Sequence, residues 1–373
     1  MEAQTPPQKP RHPRTRANPE LQDPPPLAAP VAKAGATKTA AAAPAAKPRR
    51  TDLSARPQIS VPPVGAVKRP PGKVKVEKRV YPGADGSPVV ERLTEYAKLA
   101  RMHKPIGAAL LLWPTWWALW LAAGDFPPWS ALIIFTLGVF LMRSAGCVIN
   151  DYADRELDPE VKRTRERPIA AGKVGPREAL ILFFVLLVLA FVLVLFTNKL
   201  TIELSFVGAF LAATYPFTKR YTHLPQVYLG AAFGWSIPMA FAAVTNSTPP
   251  LCWLLFLANV LFSTIYDTEY AMVDRDDDLR VGAKSTAILF GDADLTIIGV
   301  LMTTFLLAMA LVAQRGHLHW PYFAALAIAA GLFAWQMWIM RGRDRNACFT
   351  AFRNNNWVGM ALWVGIAVSL AMK

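Results

Sequence analysis

The chain has 373 residues, of which 53% are hydrophobic and only 18% charged, with 12 Trp and 20 Phe; this is too apolar for a soluble domain with a polar surface and places the protein in a membrane. The formal charge of +14 does not point to nucleic acid, because residues 1–80 hold 16 Lys+Arg against 5 Asp+Glu and leave a surplus of only 3 for the remainder. Three cysteines, Cys147, Cys252 and Cys348, have no C-x-x-C spacing, so neither a zinc knuckle nor a disulfide framework is indicated.

Residues 1–80 carry 16 of the 31 prolines and few large apolar residues, which predicts a disordered basic tail, since such a segment buries too little surface to offset its ordering entropy. It lacks the apolar core of a signal peptide, and Glu2, Glu20 and Asp23 argue against a mitochondrial transit segment. Its charge suits a position near anionic lipid. The remaining domain, residues 90–373, is expected to be all-α and polytopic. A short amphipathic stretch, Leu93 to Lys104, leads into nine apolar stretches: 105–123, 129–149, 179–197, 200–217, 225–244, 251–266, 295–312, 320–340 and 356–372. Several are near the lower length limit for crossing about 30 Å of hydrocarbon.

Basic residues alternate between the connections. Lys98, Arg101 and Lys104 precede the first stretch, whereas residues 124–128 contain no Lys or Arg. Lys162, Arg163, Arg167 and Lys173 follow the second stretch, Lys219 and Arg220 the fourth, and Arg275, Arg280 and Lys284 the sixth. The positive-inside rule then predicts a cytoplasmic N-terminus and an outer C-terminus.

Two acidic stretches fall on that basic side. Asn150 to Asp158 reads N-D-Y-A-D-R-E-L-D, and on a helix Asn150, Asp154 and Asp158 lie within an arc of about 80°. In the second stretch Asp267, Asp274 and Asp278 lie within about 40° of one another. Facing stripes of carboxylates repel in a low dielectric, so they predict divalent cations between them and an anion on those cations. A diphosphate held through magnesium needs such carboxylates, with Lys or Arg for the remaining phosphate oxygens. Lys162, Arg163 and Arg167 after the first stripe, Arg275, Arg280 and Lys284 near the second, and Tyr215, Lys219 and Arg220 at the end of the fourth stretch are the candidates for that second task. Arg143, two helical turns deeper than Asn150, suits either a snorkelling anchor or a clamp for an organic acid. The Trp113 to Trp120 cluster reads as an interfacial or packing group.

Asn150 to Asp158 followed by V-K-R-T-R-E-R-P, and Y-D-T-E-Y-A-M-V-D-R-D-D-D (Tyr266 to Asp278) followed by K-S-T-A, resemble the two signatures of the UbiA family of intramembrane aromatic prenyltransferases. Lys104 to Trp120 and Tyr215 to Gln226 extend the similarity, which covers about residues 90–373 and leaves out the tail. The resemblance implies nine helices around a central cavity capped by cytoplasmic loops. It implies Mg²⁺ on Asn150, Asp154 and Asp158 and on Asp274 and Asp278, with Tyr215 and Lys219 at the diphosphate, Arg143 at an acceptor carboxylate, and Asp267 as an extra partner in proton removal; the wording of the motifs favours a bacterial inner membrane, with a mitochondrial inner membrane second. The activity implied is transfer of a polyprenyl group from its diphosphate to the carbon ortho to the hydroxyl of 4-hydroxybenzoate, in ubiquinone synthesis. Another aromatic or tetrapyrrole acceptor, and a cation transporter lined by the same carboxylates, are the competing expectations. A transporter would spread its acids through the membrane depth, and here they concentrate at one face.

Overall fold

The computed structural model describes residues 89–104, 106–161 and 163–372; the predicted tail and the candidate Lys162 lie outside them. Among the described residues there is no strand. Twelve α-helices follow in order: α1 (Val89–Leu99), α2 (Ile106–Ala123), α3 (Trp129–Ala153), α4 (Pro176–Val194), α5 (Lys199–Thr218), α6 (Pro225–Gly234), α7 (Ser236–Thr245), α8 (Pro250–Val281), α9 (Thr286–Phe290), α10 (Asp294–Arg315), α11 (Trp320–Ile339) and α12 (Arg345–Ala371).

Their ends follow local chemistry. Proline stands in the first turn of α4, α6, α8 and α11, where its missing N–H costs nothing. Asn198 caps α5 by accepting from the Thr201 N–H at 2.9 Å, and Asp344 caps α12 by accepting from Asn346 and Ala347 at 3.0 and 3.1 Å. The fifth apolar stretch is two helices. Pro238 has no N–H to give the helix and its ring clashes with the carbonyl of Gly234 four residues earlier, so the ladder breaks at Trp235.

Eight helical segments are long and apolar enough to cross a membrane, with α6 and α7 together forming one of them. They correspond to the first eight predicted stretches. The ninth stretch lies in α12, a helix of 27 residues whose first half carries Arg345, Arg353 and the run Asn354 to Asn356, and this polarity keeps it out of the eight.

Two expectations change. The sixth apolar stretch does not give way to a connection at Asp267, because α8 continues for 32 residues to Val281 and ends at Gly282 with φ +72°. At 1.5 Å per residue that helix is about 48 Å long, so it extends well past about 30 Å of hydrocarbon and carries Asp274 and Asp278 on one rigid rod. Conversely, α3 stops at Ala153, so the single-helix arc expected for Asn150, Asp154 and Asp158 is broken and Asp158 does not share an α-helix with Asn150. A turn brings Asp158 back, its N–H donating to the Asp154 carbonyl at 2.8 Å, before a 3-10 turn at Asp158–Glu160.

The core is built from aromatic side chains of α2, α7, α8, α10 and α11, with Trp117, Phe241, Phe262, Phe305 and Tyr322 fully buried and Phe262 stacked on Phe305 at 5.1 Å. Trp113, Trp116 and Trp120 gather around Trp363 of α12 at 4.9 to 5.7 Å, which makes the tryptophan cluster a packing group, as expected. At the crossing of α11 and α12 a Cβ on Gly365 would lie 2.5 Å from the Ala325 Cβ. Neither backbone can move away without opening the contact, so Gly365→Ala should lower stability by about 1–3 kcal/mol, measured by thermal unfolding in detergent.

Candidate active site

One end of the bundle collects the C-termini of α3, α5 and α8 and the loop that follows α3. Asn150 sits in the last turn of α3 and Asp154 caps it, while the Arg220 guanidinium donates to the Ala153 carbonyl at 2.6 Å and neutralises the negative helix end. Arg220, a candidate for anion binding, is thus occupied with the backbone of α3. Tyr215 and Lys219, one turn apart at the end of α5, face this segment. The Tyr215 hydroxyl reaches the Asn150 Oδ1 at 3.4 Å, and the Lys219 ammonium donates to the Asp154 carboxylate.

The second stripe joins from α8. Arg163, from the loop after α3, makes a bidentate pair with Asp274 and also donates to the Tyr270 hydroxyl. Asp278, one turn further, is within electrostatic reach of Asp274, Asp154, Lys219 and Arg163. The loop is pinned on its other side by Arg167, which bonds Asp158 at 2.9 Å and Asp151 at 3.0 Å. Asp151 is 1% exposed and also accepts from Arg101 at 2.5 Å. Burial pushes the Asp158 carboxyl up to about 6, against the pull of Arg167 and with the push of Asp154 and Asp151. Below that pH, protons compete with any cation for its oxygens.

Cations are as concentrated as carboxylates. The Lys104 pKa lies below its ordinary value because of burial and of the Arg101, Arg163 and Arg167 guanidiniums, which crowd a fourth positive charge into the same region. The sequence reading missed Arg101, Lys104, Asp151 and Tyr270 as members of the site. Arg101 and Lys104 were visible only as topology charges before the first span, and Asp151 lies beside Asn150 but off the stripe.

Below this layer lies a second one. Tyr215 is within electrostatic reach of Arg143, Cys147 and Asp267, and Asp267 of Arg143, Asp274 and Asp278. Arg143 donates to the Cys147 Sγ and packs so closely on Gly107 that a Cβ there would meet its guanidinium at 2.5 Å. Among the described residues neither Arg143 nor Asp267 has an ion-pair partner at contact distance. Both groups therefore have bonding capacity left for something else. Deeper still, an apolar cavity of about 160 Å³ opens beside Tyr215 and Gly146 and runs between α2, α3, α4, α5, α6 and α7 toward Thr197 and Thr201 at the opposite end.

A site that joins paired acidic stripes, converging cations and an apolar channel in a helical membrane bundle defines an enzyme class acting on amphipathic diphosphates at the membrane boundary. Comparison with known proteins agrees. The UbiA prenyltransferase family profile matches residues 111–364, and the chain belongs to that family. It is 62% identical over 283 residues to a 4-hydroxybenzoate octaprenyltransferase of Xanthomonas campestris pv. campestris (strain B100), covering 76% of this chain and 94% of the relative. It is 59% identical over 278 residues to a protein of the same description from Xylella fastidiosa (strain M23), covering 74% and 93%. Among solved structures, the apo form of a UbiA homolog from Aeropyrum pernix K1 superposes with a TM-score of 0.63 at 23% identity, over 70% of this chain and 97% of that one. A UbiA homolog from Archaeoglobus fulgidus bound to GPP and Mg²⁺ superposes with a TM-score of 0.55 at 16% identity, over 74% and 99%. These two likenesses establish the fold.

Asp151 holds two guanidiniums in place while almost fully buried, so replacing it leaves Arg101 without its carboxylate and Arg167 with Asp158 alone. Asp151→Ala should cost about 3 kcal/mol of stability, read by thermal unfolding, and free the loop carrying Arg163 and Arg167.

Proposed function

We propose that this protein transfers a polyprenyl group from polyprenyl diphosphate to the ring carbon ortho to the hydroxyl of 4-hydroxybenzoate, in ubiquinone synthesis and with magnesium. The observation that carries the reading is the junction at Tyr215: carboxylates and cations on one side, and on the other an apolar cavity running toward the far end of the bundle. A polyprenyl diphosphate divides into the same two parts. The acceptor is named on the relatives described as 4-hydroxybenzoate octaprenyltransferases.

The donor set suits magnesium. All the oxygens are hard, and the Asp154 Oδ1 is buried without a hydrogen-bond partner. Among the described residues no three acidic, His or Cys side chains form a ready cage. Mg²⁺ does not require one, since it keeps several waters and is held by one or two carboxylates plus substrate phosphates. Asn150, Asp154 and Asp158 would hold one ion, Asp274 and Asp278 the other. Bound there, magnesium supplies charge compensation for the departing diphosphate.

The rest of the work belongs to the chain. Lys219, Arg163 and Arg167 each pair with a site carboxylate, and each would be available to phosphate oxygens where magnesium compensated that carboxylate. Lys104 adds to the field, with no carboxylate partner at contact distance among the described residues. Arg143 clamps the acceptor carboxylate with its guanidinium, which presents the phenol ring to the allylic carbon. Tyr215 and Phe233, 6.2 Å apart beside the cavity mouth, offer ring faces to a developing allylic cation. Asp267 faces the same layer and accepts the ring proton. Water is kept out by the apolar cavity below.

We place the protein in a bacterial cytoplasmic membrane, with α12 as the ninth span and the acidic end facing the cytoplasm under the two connecting loops, on the strength of the alternating Lys and Arg.

The direct test is an assay of membranes with 4-hydroxybenzoate and a polyprenyl diphosphate, with mass analysis of the product. A prenylated acid that disappears with EDTA and returns with Mg²⁺ is expected; no product would overturn the reading. Asp154→Ala and Asp274→Ala should abolish turnover while inserting normally in the membrane, and near wild-type rates would remove the metal assignment. Arg143→Ala should raise KM for 4-hydroxybenzoate by about tenfold to a hundredfold, through loss of a charge-assisted hydrogen bond, without a matching change in KM for the diphosphate.

A further inference from the structure

The wall that α3 gives to the cavity is uneven. Ile134, Phe135, Val139 and Met142 are bulky, whereas Gly138 and Gly146 leave gaps between them. A Cβ built on either glycine meets no atom within 4 Å, so neither glycine is required by a helix contact. Gly208 on α5 differs, since its Cβ would lie 2.9 Å from the Trp235 ring, and that position serves packing. Gly146 and Gly138 stand four and twelve residues before Asn150, which on a straight helix puts them about 6 and 18 Å below it.

We propose that Gly138 sets the length of isoprenoid chain that the cavity admits. The inference rests on reading the cavity as the polyprenyl site. With carbon–carbon bonds of about 1.5 Å and four per unit, an extended isoprenyl unit advances about 5 Å. A geranyl or farnesyl chain then ends above the level of Gly138, at about 10 or 15 Å, whereas longer chains pass it. A side chain at this position stands in the path of the longer chains only, because the helix backbone that carries it is fixed by its packing against α2 and α4 and close-packed walls do not yield. Gly146 lies at a depth every chain reaches, so a side chain there meets all donors alike. The same cavity is lined by Thr197 and Thr201 at the start of α5, the end away from Tyr215.

The experiment compares the wild-type full chain with Gly138→Leu, Gly138→Phe and Gly146→Leu, using geranyl, farnesyl and octaprenyl diphosphate at fixed 4-hydroxybenzoate, with folded protein quantified by thermal unfolding. The octaprenyl-to-farnesyl rate ratio should fall by about tenfold or more in Gly138→Leu and further in Gly138→Phe. Gly146→Leu should lower all three rates together. If the larger side chains prevent folding, Gly138→Ala, whose Cβ has open space, should shift the ratio in the same direction by a smaller factor. Gly138 variants that keep the wild-type ratio, or that reduce all donors in equal proportion, overturn the inference and leave the proposed function standing. A wild-type chain that transfers none of the three groups removes the proposed function, and this inference with it.

Discussion

Five aspartates crowd into one end of an apolar bundle, and the arrangement around them is a response to their mutual repulsion. At a few ångströms and an effective dielectric near 20, each like pair costs about 4 kcal/mol, so the charges stay together only if something positive lies between them. In this structure that role falls to Lys219 on Asp154, Arg167 on Asp151 and Asp158, Arg101 on Asp151, and Arg163 on Asp274. Pairs of this kind contribute little net stability, because desolvation offsets most of the attraction. Such pairs can be exchanged: if the proposed magnesium sites on Asp154, Asp158 and Asp274 were filled, Lys219, Arg167 and Arg163 would be left free to meet an anionic substrate.

That exchange needs the two acidic elements to keep their separation. The length of α8 does this for Asp274 and Asp278, since a 32-residue helix anchored across the bundle cannot bend away under repulsion. On its solvent-facing side Arg275 and Arg343 converge on the fully buried Asp294, and Arg345 reaches Asp276 and Asp277, so the rotation of α8 about its axis is held from the side opposite the site. Deeper, Asn355 of α12 donates to the buried Glu269 at 2.6 Å and ties the same helix to its neighbour. The first acidic element is less rigid. It is a helix end and a turn, held by Arg220 at the backbone and by Arg101 and Arg167 through Asp151.

The charged layer meets the cavity at Tyr215, whose hydroxyl reaches Asn150 on one side and whose ring lines the cavity with Gly146 on the other. An amphipathic substrate is therefore located along the membrane normal by its own polarity, with no need for contacts along the full length of the chain. The break between α6 and α7 helps to shape the lower compartment, because Trp235 at the break turns its indole N–H to the Leu204 carbonyl at 2.8 Å and lines the cavity.

The membrane character, eight of the spans, the family and the second acidic stripe could all be read from the chain alone, because each depends on local periodicity or local composition, and α8 is one uninterrupted helix to which the 3.6-residue period applies. Helix arithmetic places Asn150 and Asp154 at the end of α3 but not Asp158, since it does not report where a helix stops, and α3 stops where Arg220, 67 residues away in sequence, meets the Ala153 carbonyl. The partners of the carboxylates were out of reach for the same reason. Which base meets which acid, that Asp151 joins the acidic cluster, that Arg101 and Lys104 stand beside it, and where the cavity runs are all decided by contacts between helices far apart in the chain. Such contacts follow from how the spans pack against each other, and the sequence of any one span does not contain them.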